Sequence, residues 1–317
     1  MLIKGENKMT ISNEAVFVKY NHVKDKEETF LAMTSLKISE FDNLCKYFEE
    51  VLNKTKSNKE GDGPEKRNGG RPSVLDLPQD KLFFILFYLK NYPLQETIGF
   101  LFGLSQPRAN HWIHFLSGVL KETLEKNEFL PERVPLELLD KLQSEGKQDL
   151  SVDGTERRIN RPKNDEEQKK HYSGRRKTHT VKNLIIVGNS DREVKYLSDT
   201  VEGSKHDKKV IDESEVVFPE EIDLYQDTGF QGYAPEGVNI VQPKKKPKGK
   251  ELSDKEKENN RLISGVRVVV EHVLSGIKRL HIVKIVFRNT KENYDDLVML
   301  LACGLHNFRN FHRISSY

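Results

Sequence analysis

The sequence predicts a layered α/β domain preceded by an all-helical domain. Between residues 78 and 120, apolar residues recur at helical spacing in three stretches separated by tight breaks. From residue 150 onward, apolar runs of strand length take over, and two long stretches of helical periodicity end the chain. Strands interleaved with helices are typical of a mixed sheet flanked by helices. We therefore predict the α/β fold class for the second half.

Breaks between the three helical stretches favour a compact motif. The first stretch ends at Tyr92-Pro93, because proline cannot continue a helix. The second stops at Gly103, and the third begins with Ser105 as N-cap and Pro107 in its first turn. Two helices joined by a short glycine-containing turn indicate a helix-turn-helix.

The third helix has one apolar and one polar face. Its polar side carries Asn110, His111 and His114, with Arg108 at the flank. In a helix-turn-helix such a face lies in the DNA major groove, where Asn and Arg side chains discriminate bases. A plain three-helix bundle with a solvated polar face fits the spacing equally well, so both interpretations stay open. The apolar face consists of Ala109, Trp112, Ile113, Leu116, Val119 and Leu120.

Composition divides the rest of the chain. Residues 1–58 contain one predicted helix, about Lys37–Leu52, and their role is unassigned. The predicted boundaries are 1–58 for this segment, 59–72 for a flexible linker, 73–125 for the helix-turn-helix, 126–146 for a connecting helix (Pro135–Glu145) and 147–317 for the α/β domain. Its predicted strands are Leu150–Thr155, Thr180–Val187, Glu193–Thr200 and Ile222–Asp227, and its predicted long helices are 253–280 and 291–310.

Bulk properties exclude several protein classes. The 317 residues carry a net charge of only +3, although Lys and Arg cluster around 157–182 and 244–250. The two cysteines, Cys45 and Cys303, make a disulfide framework improbable. The longest apolar run, Leu82–Leu89, is far shorter than a membrane span, and the first residues do not form a signal peptide. These observations predict a protein of the reducing cytoplasm.

Three acids form a candidate metal site. Asp153 and Asp227 each end an apolar strand, and Glu271 shares one stripe of a long helix with Arg267 and Lys278. If the acids converge, two of them at about 4 Å repel by roughly 4 kcal/mol. A divalent cation relieves that repulsion, and oxygen-only ligands select Mg²⁺ or Mn²⁺ over zinc. Three unrelated surface acids are the alternative interpretation.

Ordered motifs resemble a known family, the DDE-superfamily transposases of bacterial insertion sequences. The resemblance spans about 72–313 and includes a segment similar to the helix-turn-helix that precedes the nuclease in these proteins. Its motifs are Asp153-Gly154-Thr155-Glu156, Arg161-Pro162-Lys163, His171-Tyr172-Ser173-Gly174, Asp227-Thr228-Gly229-Phe230-Gln231-Gly232-Tyr233, Glu271-His272 with Lys278, and Gly304-Leu305-His306-Asn307-Phe308-Arg309.

The resemblance implies a ribonuclease H-like catalytic domain that cuts DNA and joins the freed 3′ hydroxyl to target DNA. It implies Asp153, Asp227 and Glu271 as catalytic metal ligands for two Mg²⁺ ions, with Mn²⁺ as substitute. Arg267 and Lys278 match the family's cations around the glutamate. Many relatives carry a tyrosine where this chain has Ser264, which weakens the case for a tyrosine-assisted step. The implied partner is double-stranded DNA, held by a homodimer or larger assembly.

Rival interpretations remain at this stage. Asp199 and Asp207 compete with Asp227 for the role of second ligand, although Asp227 is favoured. His206 and His272 are interpreted as structural or DNA-facing side chains. The chain could also be a domesticated DNA endonuclease, a DNA-binding regulator with a vestigial nuclease fold, or an unrelated phosphodiesterase.

Overall fold

A computed structural model describes residues 17–57, 74–249 and 251–314. The predicted linker 59–72 lies outside the described residues. The described helices and strands, in chain order, are α1 (Glu27–Thr34), α2 (Ile38–Ser57), α3 (Pro78–Asn91), α4 (Gln95–Leu101), α5 (Gln106–Lys126), α6 (Pro135–Glu145), β1 (Leu150–Arg158), α7 (Asp165–His171), β2 (Tyr172–Ser173), β3 (Thr178–Gly188), β4 (Val194–Leu197), β5 (Val201–Glu202), α8 (Asp207–Glu213), β6 (Ile222–Tyr225), β7 (Val238–Val241), α9 (Asp254–Ile277) and α10 (Tyr294–Ile314).

Helices α1 to α5 form a bundle with an aromatic interior. The ring of Phe30 on α1 stacks on Phe83 of α3 with centroids 5.8 Å apart and meets Phe41 of α2 edge-on at 5.1 Å. All three rings are completely buried. Helix α2 confirms the helix predicted in the N-terminal segment, whereas α1 was not predicted.

The α3–α4–α5 arrangement confirms the three predicted helices and their breaks. Helix α3 ends at Asn91, and Tyr92 adopts the left-handed conformation that stops it. Ser105 occupies the N-cap position of α5, although its hydroxyl makes no capping hydrogen bond. Between α4 and α5 the chain turns back tightly, and a Cβ at Gly99 would lie only 2.7 Å from the Leu104 carbonyl oxygen. Glycine is therefore required at position 99 of α4, where the turn passes close to the helix.

One mixed sheet forms the α/β domain. Its principal strand order is β2-β3-β1-β6-β7, and β4 and β5 also pair with β3. Strand β1 runs antiparallel to β3 and parallel to β6, which is parallel to β7. The four predicted strands correspond to β1, β3, β4 and β6, which confirms the predicted α/β class. The short strands β2, β5 and β7 and the helix α7 were not predicted.

Helices cover both faces of the sheet. On one face, Ile185 and Val187 belong to the same hydrophobic cluster as Val270 and Val273 of α9. On the other face, neighbouring β3 residues pack with side chains from α6 and α8. Strand β3 is buried at nine consecutive residues from Thr180 to Gly188, as expected for a strand that is covered on both faces.

The helical bundle and α10 share one hydrophobic cluster. Ser117 of α5 lies 3.0 Å from the Tyr294 hydroxyl, and Arg313 of α10 forms an ion pair with the buried Glu40 of α2 at 2.7 Å. Apolar residues from α1 to α5 join those of α9 and α10 in the same cluster. The described part of the N-terminal segment therefore packs into the common core rather than standing apart.

Long helix α9 begins with a complete capping box. The Ser253 side chain accepts a hydrogen bond from the Glu256 N–H, and the Glu256 carboxylate accepts one from the Ser253 N–H. Two orphan backbone donors are satisfied in this way. Cys45 and Cys303 are both free and buried. Among the described helices, none is long and apolar enough to cross a membrane.

Candidate active site

Asp153 lies on β1 and faces helix α9. Its β1 neighbour Val152 packs toward α6 and α8, whereas Asp153 pairs with Ile185 on the face covered by α9. The Gly154 N–H donates a 2.8 Å hydrogen bond to Asp153 Oδ1. Burial raises the pKa of the Asp153 carboxyl, and the charges of nearby Asp227 and other acids add to that rise.

Asp227 follows β6, the parallel neighbour of β1. Ser151 is paired with Tyr225, so Asp153 and Asp227 each lie two residues beyond a paired position. Both acids are therefore at the same level of adjacent parallel strands, but Asp153 lies within β1, which continues to Arg158, so the prediction that it ends a strand is wrong. The Thr228 N–H donates to Asp227 Oδ1 at 2.6 Å and holds the carboxylate at the start of a 3-10 turn.

Arg267 of α9 reaches both acids. Its Nη1 lies 4.0 Å from Asp227 Oδ1, and its charge opposes the rise in the Asp153 pKa. The side chain is only 13% exposed, and its buried Nε has no hydrogen-bond partner. A buried guanidinium with a free donor can accept an anionic ligand beside the acids.

Glu271 is not brought into this group. It is exposed, it makes no ion pair with any described residue, and it lines a cleft together with Lys278 and Lys90. Arg267, Glu271 and Lys278 were predicted to share one side of α9. In the structure this side lies at the edge of the buried face, with Arg267 and Lys278 half-buried and Glu271 exposed. Within the described ranges, no three His, Cys, Asp or Glu side chains are close enough together to hold a metal ion.

A third acid, Asp207, lies near the pair but on the opposite face of the sheet from Asp153, the face that α6 and α8 cover. Its Oδ1 is 2.8 Å from Lys182 Nζ, and its charge contributes to the raised pKa of Asp153. A Cβ at Gly154 would lie 3.0 Å from the same oxygen, so a side chain at position 154 would displace the Asp207 carboxylate. Sequence analysis identified Asp207 only as a rival metal ligand. No motif in the sequence indicated that Asp207 pairs with Lys182.

The other rival acid lies in a different environment. Asp199 forms a 2.5 Å ion pair with Arg133, which also binds Asp296 of α10. The Asp199 side chain is 91% exposed. This network connects the end of β4 to α10, so Asp199 is a suitable control position for the acids near Arg267.

The four polar residues predicted to form the DNA-binding face of α5 differ in their exposure to solvent. Arg108 and His111 are exposed, and Asn110 is half-buried beside a cavity of about 340 Å³ that Arg288 and Asn289 also line. His114 instead packs edge-on against Tyr294 at 4.6 Å, and burial lowers its pKa. The structure thus places His114 at the α5–α10 contact, away from the exposed part of the predicted DNA-binding face.

Comparisons with known proteins agree with the two-part organisation. Residues 152–307 match the model of the DDE superfamily endonuclease family, and residues 74–126 match that of the helix-turn-helix of DDE superfamily endonucleases. The probable transposase for insertion sequence element IS702 of Microchaete diplosiphon is 29% identical over 245 residues, which cover 77% of this chain and 84% of that protein. No solved structure matches significantly.

The matched regions coincide with the structural parts described above. The helix-turn-helix match covers α3 to α5, and the endonuclease match runs from β1 into α10. The mixed sheet with helices on both faces is the ribonuclease H-like domain that the resemblance implied, and endonucleases of this superfamily generally use divalent metal ions. The chain belongs to the DDE superfamily of endonucleases, with a helix-turn-helix domain preceding the catalytic domain.

Proposed function

We propose that the protein is a transposase that binds the ends of an insertion sequence, cuts them and joins the freed 3′ hydroxyl to target DNA. The observation that carries the proposal is the placement of Asp153 and Asp227 at the same level of two adjacent parallel strands, with Arg267 of α9 4.0 Å from Asp227 and its charge acting on Asp153. The likeness to a probable insertion-sequence transposase supports the same activity.

Asp153, Asp227 and Glu271 would hold divalent metal. The donors are carboxylate oxygens alone, and burial, together with the charges of Asp227 and Asp207, raises the pKa of Asp153. Both features suit Mg²⁺, with Mn²⁺ as substitute and two ions as the proposed number. Bound there, the metal would lower the pKa of an attacking water or hydroxyl and stabilise the leaving oxygen. Glu271 would join the two aspartates from α9.

The protein's own cations would hold the substrate. Arg267 has a buried, unpartnered Nε, and Lys278 is half-buried with Asp153 among its charged neighbours. Neither forms an ion pair with Glu271 among the described contacts. Both are therefore available to bind backbone phosphates and to orient the scissile bond in line with the attacking oxygen.

Changing Lys278 to alanine is expected to weaken binding to DNA ends. Loss of one phosphate contact lowers the log–log salt dependence of the dissociation constant by about 0.9. Burial lowers the pKa of Lys278, so its removal should not lower the melting temperature. Fluorescence anisotropy at several salt concentrations checks the slope. An unchanged slope with a lower melting temperature would show that Lys278 only stabilises the fold.

Replacing Arg108, Asn110 or His111 by alanine is expected to cost about 1–3 kcal/mol of binding to the specific end sequence. The contacts are proposed because these residues lie on the outer side of α5. His114→Ala is the matched control, expected to lower the melting temperature while specific binding is retained, because the His114 ring packs on Tyr294. Equal losses on random DNA would limit the three residues to backbone contacts.

The proposed activity also implies an assembly and a location for the protein. Work on two element ends requires at least a dimer on DNA, and the site of action is the bacterial cytoplasm.

A regulator with an inactive nuclease fold is the second candidate, because Glu271 lies apart from the two aspartates among the described residues. The deciding assay combines a duplex that carries the element end with a target plasmid and Mg²⁺. Joined product supports the transposase, nicking alone supports an endonuclease, and binding without cutting supports the regulator.

A further inference from the structure

A second cationic surface adjoins the proposed active site. A cleft of about 550 Å³ lies between the end of α3, the end of α9 and the 3-10 turn His281–Val283. Lys90 lies on the α3 side, where its Nζ donates a 2.9 Å hydrogen bond to the Arg279 carbonyl oxygen. Glu271 and Lys278 form the wall toward the active site.

The cleft holds more positive charge than its surroundings neutralise. Lys90, Lys278, Arg279 and Lys284 line it with one carboxylate, Glu271. None of the four cations forms an ion pair with a described acid. Burial lowers the pKa of Lys90, and the charges of Arg309, Arg279 and Lys284 lower it further. The cations therefore repel one another in the protein alone.

Two buried lysines elsewhere in the chain have carboxylate partners. Lys195 is 1% exposed and lies 2.7 Å from each of three carboxylates, those of Glu145, Asp191 and Glu193. Lys182 is paired with Asp207 in the same manner. The half-buried Lys90 and Lys278 have no such partner among the described residues, and an external polyanion would reduce the repulsion among the four cations.

Helix-end stabilisation does not account for the cluster. Lys90 lies in the last turn of α3 and Lys278 caps α9, where a cation is favourable. Arg279 and Lys284 lie beyond the end of α9, and the charge of Lys284 lowers the pKa of Lys90. The excess charge is thus larger than the two helix ends explain.

We propose that this cleft binds backbone phosphates of the DNA duplex next to the cut bond, through Lys90, Arg279 and Lys284. The proposal rests on the proposed nuclease site, because Lys278 connects the cleft to the neighbourhood of Asp153. The cations come from α3 and from the segment after α9, so they are spread along the cleft rather than directed at one point. A polymer with regularly spaced phosphates fits that distribution better than a single anion.

The test compares Lys90→Gln, Lys284→Gln and the double variant in the full-length protein. Dissociation constants for end-containing and random duplexes are measured in EDTA over a salt series. Each variant is expected to lower the log–log salt slope by about 0.9, and the double variant by about twice that, on both duplexes. Lys209→Gln, which removes an exposed lysine paired with Glu213 on α8, should leave the slope unchanged.

Melting temperature and protection of lysines from chemical modification provide two independent tests of the cleft. Without DNA, the cleft variants should melt close to the parent, because neither lysine forms an ion pair with a described acid. Bound DNA should protect Lys90 and Lys284 from acylation, as read by mass spectrometry. Unchanged slopes and no protection would overturn the proposal, even if the parent protein cuts DNA. Lowered slopes in a protein that cuts nothing would support the cleft and count against the nuclease.

Discussion

Asp153→Asn, Asp227→Asn and Glu271→Gln are each expected to reduce strand cleavage by several orders of magnitude without weakening DNA binding. The amide keeps the size of the side chain but removes the charge that would hold Mg²⁺. Without the metal, neither the attacking nor the leaving oxygen is stabilised, and such electrostatic effects are among the largest in catalysis. Single-turnover nicking of an end-containing duplex measures the loss, and anisotropy in EDTA measures binding.

The folding stability of the Asp153→Asn variant provides a second test of the environment of Asp153. Burial raises the pKa of this carboxyl in the folded state above its ordinary value of 3.8. The folded state therefore holds its proton more tightly, and stability from this group is lost as pH rises from 3.8 through the raised pKa. At pH 7 the charged carboxyl costs folding free energy. Asp153→Asn should consequently melt no lower than the parent at pH 7, with any advantage vanishing below pH 3.8.

Asp199→Asn is the matched control for these variants. Asp199 pairs with Arg133 near α10 and should retain most activity when changed. Asp207→Asn breaks the pair with Lys182 and is expected to lower stability more than cleavage. If Asp227→Asn still nicks DNA while Asp207→Asn does not and melts like the parent, then the second metal ligand is Asp207.

Lys195→Met is expected to destabilise the fold by about 3 kcal/mol. The change leaves Glu145, Asp191 and Glu193 close together without their shared cation. The three carboxylates are partly exposed to solvent. The expected loss of stability is therefore at the lower end of the range for a broken buried ion pair. Chemical denaturation at pH 7 measures it.

Lys147→Met provides the comparison for that experiment. Its pair with Glu221 is exposed on both sides, so the change should cost less than about 1 kcal/mol. The favourable ammonium contacts raise the pKa of Lys195, so its stabilisation is fully present below pH 10.5 and is lost above it. Equal effects of the two substitutions at pH 7 would contradict the assigned role of Lys195.

Secondary structure was predictable where periodicity persisted over enough residues. Helix α6 has the predicted bounds, and α9 differs from its predicted range by only a few residues at each end. The elements that were missed are short. Strand β7 has four residues and α1 has eight, so neither produces a clear period. Their formation depends on partners that are distant in sequence, such as β6 for β7.

Site residues were predictable when a strand determined their direction. Asp153 lies within β1 and Asp227 follows β6, and the parallel pairing of these strands places the two acids side by side. The polar face of α5 gave no means of separating His114 from His111, because burial of His114 depends on Tyr294, far along the chain. The cationic cleft was not predicted for the same reason, since Lys90 and Lys284 meet only in the folded protein.

The shared metal site of Asp153, Asp227 and Glu271 is tested most directly by iron-mediated backbone cleavage. Fe²⁺ substitutes for Mg²⁺ at oxygen sites, and the hydroxyl radicals that it generates with ascorbate and peroxide cut the polypeptide beside the bound ion. We expect cuts near all three residues in DNA-bound protein, lost in Asp153→Asn and kept in Asp199→Asn. Cuts near Asp153 and Asp227 with none near Glu271 would contradict the three-ligand site.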